Sequence, residues 1–420
     1  MKPYQNSLLF VIPLLAMALF SYLFFSGYYQ KPPIKVGILH SLTGTMAISE
    51  QSVKNGTLLA IQEINKKGGV LGRKIEPVVR DGQSDESVFA SEAEKLLRDE
   101  KVEVIFGAWT SASRKTLIPI LEKYQKLLFY PVQYEGLESS PYVVYTGAAP
   151  NQQIIPAVKW AFDHLGKTFF LVGSDYIFPR TANAIIKEQV KALRGEVIGE
   201  EYILLGSSNV SKVVEKIKEA QPKVILNTIN GDANIAFFKE LYNAGLTSDQ
   251  IPSISFSIAE VELKNLNSNY IEGNYAAWNY FQSIDSPANY KFVHDFKKAY
   301  GENSVTDDPI EAGYFGVYLW ANAVQSALRT NTEDVRKHLS NEGFEAPEGV
   351  VYIDPENQHT WKIVRIGKIR SDRQFDIIWS SGKPVRPVPY PIYKSKEEWN
   401  LFLNQLHLTW KGQWANPGNL

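Results

Sequence analysis

A chain of 420 residues is long enough to form two hydrophobic cores, and its formal net charge of −1 at pH 7 gives no reason to expect nucleic acid or an acidic polymer as a partner. The hydrophobic content of 44% is that of a globular protein and argues against disorder. The lack of cysteine excludes disulfides, thiol catalysis, cysteine-based metal sites and a lipidated cysteine anchor.

The first part of the chain is an uncharged apolar segment, Ser7 to Phe25, which is long enough to cross a bilayer. Lys2 supplies the minimal positive amino-terminal side of a secretion signal. We predict that residues 1–33 are a signal peptide, or a membrane anchor formed by residues 7–25, followed by a linker; a buried core helix is the alternative. A signal or an anchor would place the folded part in the periplasm or on the outer face of the cytoplasmic membrane.

Strand-like and helix-like segments alternate over the next hundred residues, from Ile34 to Tyr130. Apolar runs such as Ile34–Leu39 and Val102–Phe106 are each followed by a polar turn and then by a helix-like segment. Because the links between the runs are too short for anything but parallel crossovers, the pattern predicts one parallel sheet. A short strand over Tyr142–Thr146 follows it.

The alternation restarts after a crossing segment at Pro150–Gln153 and continues to about Ser257, which predicts a second α/β sheet of similar size. Later segments read as the helices Tyr290–Tyr300 and Ile310–Leu328 and a strand-like stretch, Gly349–Trp379. Two α/β lobes joined by short crossings imply a cleft, and such interfaces are preferred ligand sites.

Four polar loops follow strands of the two predicted sheets: Leu39–Thr45, Trp109–Ser113, Gly173–Pro179 and Asn227–Asp232. Any single Ser, Asp or Asn in them can be explained as a helix N-cap. In open α/β sheets, however, ligands bind outside the carboxyl ends of the strands. Four such loops facing one cleft therefore favour a ligand-binding role for some of these residues.

The stretch from Val102 to Gly136 gives the clearest view of one such edge. Ser111 and Ser113 stand where N-cap residues belong, and Tyr130 ends the next strand on the same edge if the two strands are parallel. Aromatic walls combined with neutral hydroxyls suit a small, polar, uncharged molecule.

Sequence motifs for catalysis, metal binding and cofactors are missing. The six histidines have no metal-ligand spacing, and the chain has no GxSxG elbow, no GxxxxGK[ST] loop and no Gly-x-Gly pattern after its first strand. An amide hydrolase would need a nucleophile with a positioned base, or a metal. We therefore expect a binding protein without catalytic residues, metal or cofactor.

Six segments of the chain resemble the urea- and short-chain-amide-binding branch of the type I periplasmic binding proteins, which contains the urea-binding subunits of ABC transporters and the amide sensor of amidase operons. These segments are FGAWTSASRK, YPVQYEGLESSP, YTGAAPNQQ, LVGSDYIFPRTAN, NTINGDAN and EAGYFGVYLWANAV. The resemblance implies two Rossmann-like lobes with three crossings that close on a ligand. It assigns residues 34–152 and 286–346 to lobe 1, residues 153–285 and 347–393 to lobe 2, and residues 394–420 to a carboxy-terminal tail.

The same resemblance implies ligand contacts at Ser111, Tyr130 and Tyr176. Val132 stands where the amide sensor has Thr, and Phe178 where it has Tyr, so two hydroxyls are lost. Further departures from the sensor at Trp109, Thr110 and Asp232 favour the urea transporter members.

Urea has four N–H donors and one carbonyl acceptor, so its site needs acceptors on two sides, a donor at the oxygen and flat walls. We expect Asp232, Glu311 and backbone carbonyls as acceptors, although Glu311 can also be explained as a helix cap. Ser111 and Tyr176, with helix N-terminal N–H groups, are the expected donors. Trp109 and Tyr130 are the expected walls, and Thr110 lies beside them.

The expected function is capture of urea, or of a short-chain amide, for delivery to the permease subunits of an ABC importer. Two alternatives remain open. One is a sensor of amides or urea. The other is a branched-chain amino-acid-binding protein, in which Asp232 and Glu311 would pair with the ligand ammonium group.

Overall fold

The computed structural model describes residues 31–340 and 343–418, together with Met17. The predicted signal or anchor segment, Ser7–Phe25, lies outside these residues except for Met17. Within the described part of the chain, no helix is both long enough and apolar enough to cross a membrane.

The first sheet contains five parallel strands in the order β2-β1-β3-β4-β5. Its strands are β1 (Ile34–His40), β2 (Ile75–Asp81), β3 (Val104–Gly107), β4 (Leu127–Tyr130) and β5 (Val143–Tyr145). The connecting helices are α1 (Ala47–Lys66), α2 (Glu86–Arg98) and α3 (Ser111–Tyr124). All residues of β3, β4 and β5 are buried, as expected for a parallel sheet covered on both faces. Because the strands are parallel, their carboxyl ends lie along one edge.

The next part of the chain forms the second α/β unit. After a 3₁₀ turn at Pro150–Gln152, its strands are β6 (Thr168–Ser174), β7 (Glu196–Ile203), β8 (Val224–Thr228), β9 (Ser253–Ser255) and β10 (Tyr275–Trp278). Its helices are α4 (Ile154–His164), α5 (Ile177–Ala192), α6 (Ser211–Ala220), α7 (Ala233–Asn243), α8 (Glu260–Lys264) and α9 (Ser268–Ile271).

The last part of the chain returns to the first unit and then to the second. It contains helices α10 (Pro287–Tyr300), α11 (Asp308–Ala327), α12 (Thr332–His338) and α13 (Lys396–Thr409), and strands β11 (Phe344–Ala346), β12 (Gly349–Ile353), β13 (Thr360–Trp361), β14 (Arg365–Ile369) and β15 (Phe375–Ser380). Strands β14 and β15 join the second sheet, whose order is β15-β14-β10-β9-β8-β6-β7, by antiparallel pairing. Strands β11, β12 and β13 form a small separate sheet.

Helix α11 packs closely against α1 of the first unit. A Cβ atom at Gly56 would lie 2.5 Å from the Ile310 carbonyl oxygen, so glycine is required for this approach. One hydrophobic core is accordingly built mainly from residues 34–145 and 280–353, and two further core clusters lie around the second sheet.

Three crossings between the two units meet in a buried polar network, which we call the crossing cluster: Gln152, Asn279, Asp308, Glu348 and Lys362. The Asn279 amide donates to the Gln152 carbonyl oxygen at 3.1 Å, and the backbone N–H of Asn279 donates to Asp308 at 2.9 Å. Lys362 Nζ lies 3.1 Å from Glu348 and 3.7 Å from Asp308. The network ties the crossing segments to one another.

The predicted fold class, two α/β lobes with parallel sheets, is confirmed, whereas the predicted caps of α3 are wrong. Thr110 is the N-cap, because its extended backbone lets its side chain accept the Ser113 N–H, and Ser111 is the first residue of the helix. The exact boundaries predicted for the lobes and the tail stay predictions.

Candidate ligand site between the lobes

The carboxyl edges of the two sheets face each other and are in direct contact. Thr45 Oγ1 of the first lobe donates to Asp232 Oδ1 of the second at 2.5 Å, and Ser49 Oγ donates to Glu262 Oε1 at 2.6 Å. Farther along, the Gln133 amide donates to the Phe256 carbonyl oxygen at 2.8 Å. The Thr45–Asp232 bond joins two of the loops singled out in the sequence, Leu39–Thr45 and Asn227–Asp232.

One buried group of charges lies at this edge of the first lobe, and we call it the arginine cluster: Ser111, Arg114, Glu135, Glu138 and Lys115. Arg114 Nε donates to Glu138 at 2.8 Å, its Nη2 donates to Glu135 at 3.3 Å and its Nη1 donates to Ser111 Oγ at 3.0 Å. Lys115 Nζ donates to the other oxygen of Glu138 at 2.9 Å. Burial alone would raise the pKa of Glu138, but Arg114 and Lys115 hold it well below its usual range.

Aromatic rings enclose this cluster. The Arg114 guanidinium lies 4.7 Å from the centre of the Tyr130 ring and 4.5 Å from that of Tyr134. With three polar partners and two ring contacts, the guanidinium is fully buried and fully partnered. It is therefore built into the lobe and does not present a free positive charge.

Five of the seven predicted ligand residues lie together at the facing edges. Ser111 Oγ donates to Glu135 and accepts from Arg114, and the Tyr130 hydroxyl donates to the Trp109 carbonyl oxygen. Thr110 caps α3, and the Trp109 indole N–H reaches Asn230 of the other lobe at 3.4 Å. The polar groups of these four residues thus have partners within the protein.

Tyr176, the fifth of these residues, differs from the other four. It precedes α5 in the second lobe and is fully buried, yet its hydroxyl has no hydrogen-bond partner among the described residues. Burial raises the pKa of the Tyr176 hydroxyl well above the usual range, and the nearby Tyr130 and Glu135 raise it further. The phenol is therefore neutral and able to donate. Tyr176 packs in the same hydrophobic cluster as Ala112 of α3, which places it near the edge of the first lobe.

The remaining two predicted residues lie elsewhere. Asp232 is exposed at the rim, where it accepts the Thr45 hydroxyl and makes no cap bond to its own helix. Glu311 lies in the first turn of α11, beside the crossing cluster, and its Oε1 accepts the backbone N–H of Glu348 at 3.1 Å. Burial and the neighbouring Glu348 raise its pKa well above the usual range.

Two residues that the sequence did not single out complete the edge: His40, the last residue of β1, and Glu50, in the first turn of α1. His40 Nδ1 lies 3.1 Å from Glu50 Oε2, which also accepts the Ser41 backbone N–H at 2.8 Å. His40 Nε2 and Glu50 Oε1 are buried and have no hydrogen-bond partner in the described structure. The polar loop Leu39–Thr45 was a sequence signal for His40, whereas no sequence pattern pointed to Glu50.

The carboxy-terminal segment crosses the same region. The Ile177 backbone N–H donates to the Trp414 carbonyl oxygen at 2.9 Å, and the Asn416 N–H donates to the Asp175 carbonyl oxygen at 3.0 Å. On its other side, the Trp414 ring lies 4.9 Å from Lys115 Nζ of the first lobe. One segment of the tail therefore contacts both lobes next to Tyr176.

No group of three or more metal-ligating side chains is found within the described ranges. The site is instead a set of neutral hydroxyls, amides, aromatic rings and paired charges between two lobes. Such a fold and site define a two-lobed binding protein for a small molecule.

Comparison with known proteins agrees with this class. The family model described as a periplasmic binding protein domain matches residues 34–396. The chain is 26% identical over 357 residues to Leu/Ile/Val-binding protein homolog 6 of Brucella melitensis, covering 83% of this chain and 90% of that protein. A shorter match, 36% identical over 124 residues, covers 30% of this chain and only 23% of a Geobacillus stearothermophilus protein named limonene hydroxylase.

Solved structures share the fold at low sequence identity. A solute-binding protein of an ABC transporter from R. palustris, in complex with 4-hydroxybenzoate, superposes with a TM-score of 0.75 at 22% identity, covering 83% of this chain and 97% of that one. A branched-chain amino-acid-binding protein from Streptococcus pneumoniae, in complex with isoleucine, superposes with a TM-score of 0.73 at 20% identity. The match covers 84% of this chain and 100% of that one. The chain belongs to the periplasmic binding protein family, with the type I, leucine-binding-protein-like fold.

Proposed function

We propose that this protein captures a small neutral amide, urea foremost, between its lobes and delivers it to the permease subunits of an ABC importer. Family membership supports a transport role outside the cytoplasmic membrane, and the resemblance of the loop segments to the urea and amide branch supports the ligand class. In this role the protein binds and releases its ligand without changing it chemically.

We choose a neutral ligand because the buried cations at this edge are already paired with protein carboxylates. Arg114 and Lys115, which follow Ser111 on α3, are already paired with Glu135 and Glu138. A carboxylate ligand would have to compete with two protein carboxylates for these cations, and separating a buried ion pair is costly. A neutral amide needs no such partner.

The neutral groups at the edge fit an amide. The Tyr176 hydroxyl is a free donor for a carbonyl oxygen, and Gln133 Oε1 is a buried acceptor without a partner in the described chain. Tyr130 and Trp109 are buried aromatic residues at the same edge that could supply flat surfaces. This division into donor, acceptor and walls is the one that urea requires.

A branched-chain amino acid is the second candidate, because the 26% identical Brucella protein is named as a Leu/Ile/Val-binding homologue over 90% of its length. Calorimetric titration of the purified protein with urea, acetamide, leucine and 4-hydroxybenzoate separates the possibilities. We expect urea or acetamide to bind with a micromolar or lower Kd, and leucine and 4-hydroxybenzoate to give no heat of binding. Tight binding of leucine, with no heat of binding from urea, would overturn the proposal.

A further inference from the structure

We propose that Glu50, oriented by His40, is the element of this site that selects ligands with amide N–H groups and rejects ligands with a carboxylate. The inference rests on the proposed function and names the groups that give it its specificity. It is carried by two fully buried side chains, each of which has one polar atom unused within the described structure.

The hydrogen bonds of the pair fix its orientation. Glu50 Oε2 takes both protein bonds, one from the Ser41 backbone N–H at 2.8 Å and one from His40 Nδ1 at 3.1 Å. Oε1 of the same carboxylate and Nε2 of the same imidazole are left without partners. With the ring proton on Nδ1, shared with Glu50, Nε2 is an acceptor, so the pair offers two acceptors side by side.

The surrounding contacts place the pair at the interface of the lobes. His40 ends β1, and Glu50 lies next to Ser49, whose hydroxyl bonds to Glu262 of the second lobe at 2.6 Å. Thr45, in the loop between them, bonds to Asp232 of the same lobe. A Cβ atom at Gly231 of the second lobe would lie 3.0 Å from the Thr45 carbonyl oxygen, and the neighbouring Asn230 N–H donates to the hydroxyl of Ser174, two residues before Tyr176.

The chemistry of the ligand follows from this arrangement. The first lobe contributes a carboxylate oxygen and an imidazole nitrogen, both acceptors, and the second contributes a phenol donor. An amide matches this pattern, since its NH₂ group donates and its carbonyl oxygen accepts. A carboxylate of the same shape would place an anion against Glu50 where the amide places its N–H groups, so like-charge repulsion would exclude it.

Acetamide and acetate form a matched pair of ligands for the test, because they differ only in replacing NH₂ by O⁻. Calorimetry or intrinsic fluorescence would give the affinity of each for the wild-type protein and for the Glu50→Gln variant, which has the same shape without the charge. We expect the variant to bind acetamide about 10- to 100-fold more weakly, as for loss of a hydrogen bond to a charged group. The acetamide-to-acetate affinity ratio should fall at least about tenfold.

Glu262→Gln is the matched control, because it neutralises another buried carboxylate at the lobe interface. Glu262 accepts a hydrogen bond from the Ser49 hydroxyl of the other lobe. It should change both affinities by the same factor and leave the ratio as in the wild type. His40→Gln is a second variant: with Glu50 still charged, it should weaken acetamide and still reject acetate. It keeps the test available if Glu50→Gln does not fold.

Each result decides one of the two claims. A wild-type protein that binds leucine and no amide would overturn both the proposed function and this inference. A wild-type protein that binds amides, with a ratio unchanged in Glu50→Gln, would overturn the role of Glu50 alone. Acceptance of acetate by His40→Gln would equally contradict the assignment of the rejection to Glu50.

Discussion

Two buried charged groups lie at the same edge of the first lobe, and they differ in how completely their atoms are partnered. In the arginine cluster, the guanidinium of Arg114 bonds to Ser111, Glu135 and Glu138 and lies between two tyrosine rings. In the His40–Glu50 pair, one atom of each side chain is bonded and one is not.

At this edge of the first lobe, we expect the difference to distinguish polar groups that hold the lobe together from polar groups that are available to a ligand. Buried polar groups in folded proteins are nearly always hydrogen-bonded, so a fully partnered cluster holds its lobe together and an unpartnered buried atom needs an explanation. Tyr176 belongs with the open pair, because its hydroxyl also lacks a partner among the described residues. Ser111 and Tyr130, which the sequence resemblance implies as ligand residues, belong with the closed cluster.

The largest expected effect is on the closed cluster. Arg114→Met keeps much of the side-chain volume but leaves Glu135 and Glu138 buried without their main cation, so we expect a loss of about 3–5 kcal/mol in the free energy of unfolding. Guanidinium chloride titration followed by fluorescence measures it; urea is unsuitable as denaturant because it is the proposed ligand. Arg80→Met, which removes a half-exposed partner of Glu100, is the control and should cost less than about 1 kcal/mol.

An unchanged free energy of unfolding in Arg114→Met, combined with lost ligand affinity, would contradict the comparison. Arg114 would then be a ligand group, and full partnering in this structure would not distinguish structural from functional residues.

The fold could be predicted from the sequence because each strand and helix carries its own local signal. Apolar runs followed by turns, such as Val104–Gly107 and Leu127–Tyr130, form neighbouring parallel strands, and this pairing also brings Trp109 close to Tyr130. The short helices α8, α9 and α12 were missed, since elements of four to seven residues are too short for a helical period to be recognised.

The polar part of the site could not be predicted in the same way. Arg114 and Glu50 occur in helices, where a charged residue usually faces solvent, and their burial depends on contacts made by distant segments. Glu135 and Glu138 come from a stretch without regular structure, and Glu311 lies beside Glu348, which is 37 residues away. The contact of Trp414 with Lys115 likewise joins parts of the chain that no local pattern relates.

A smaller effect is expected on ligand affinity when the free phenol is removed. Tyr176→Phe should weaken urea or acetamide binding by about 3- to 10-fold, the range for loss of one neutral hydrogen bond, and should leave the free energy of unfolding unchanged or slightly higher. Tyr130→Phe is its counterpart in the closed cluster. It removes the donor to the Trp109 carbonyl oxygen, so it should lower the free energy of unfolding by about 1 kcal/mol.

If the comparison holds, calorimetry shows a loss of ligand affinity mainly in Tyr176→Phe. Chemical unfolding shows a loss of stability mainly in Tyr130→Phe. If Tyr176→Phe bound its ligand as tightly as the wild type, and Tyr130→Phe did not, the open and closed assignments of the two tyrosines would be reversed.

The smallest expected effect is at the rim, where Asp232 was predicted from the sequence to accept the ligand N–H groups. In the structure its carboxylate is exposed and accepts the Thr45 hydroxyl across the lobes, so its removal should only weaken lobe closure. Asp232→Ala and Thr45→Val should each lower ligand affinity by less than about fivefold, and the double variant should be no weaker than either, because both remove the same bond. If Asp232→Ala lowered ligand affinity tenfold or more while Thr45→Val left it unchanged, Asp232 would instead contact the ligand directly. The site would then lie closer to the rim.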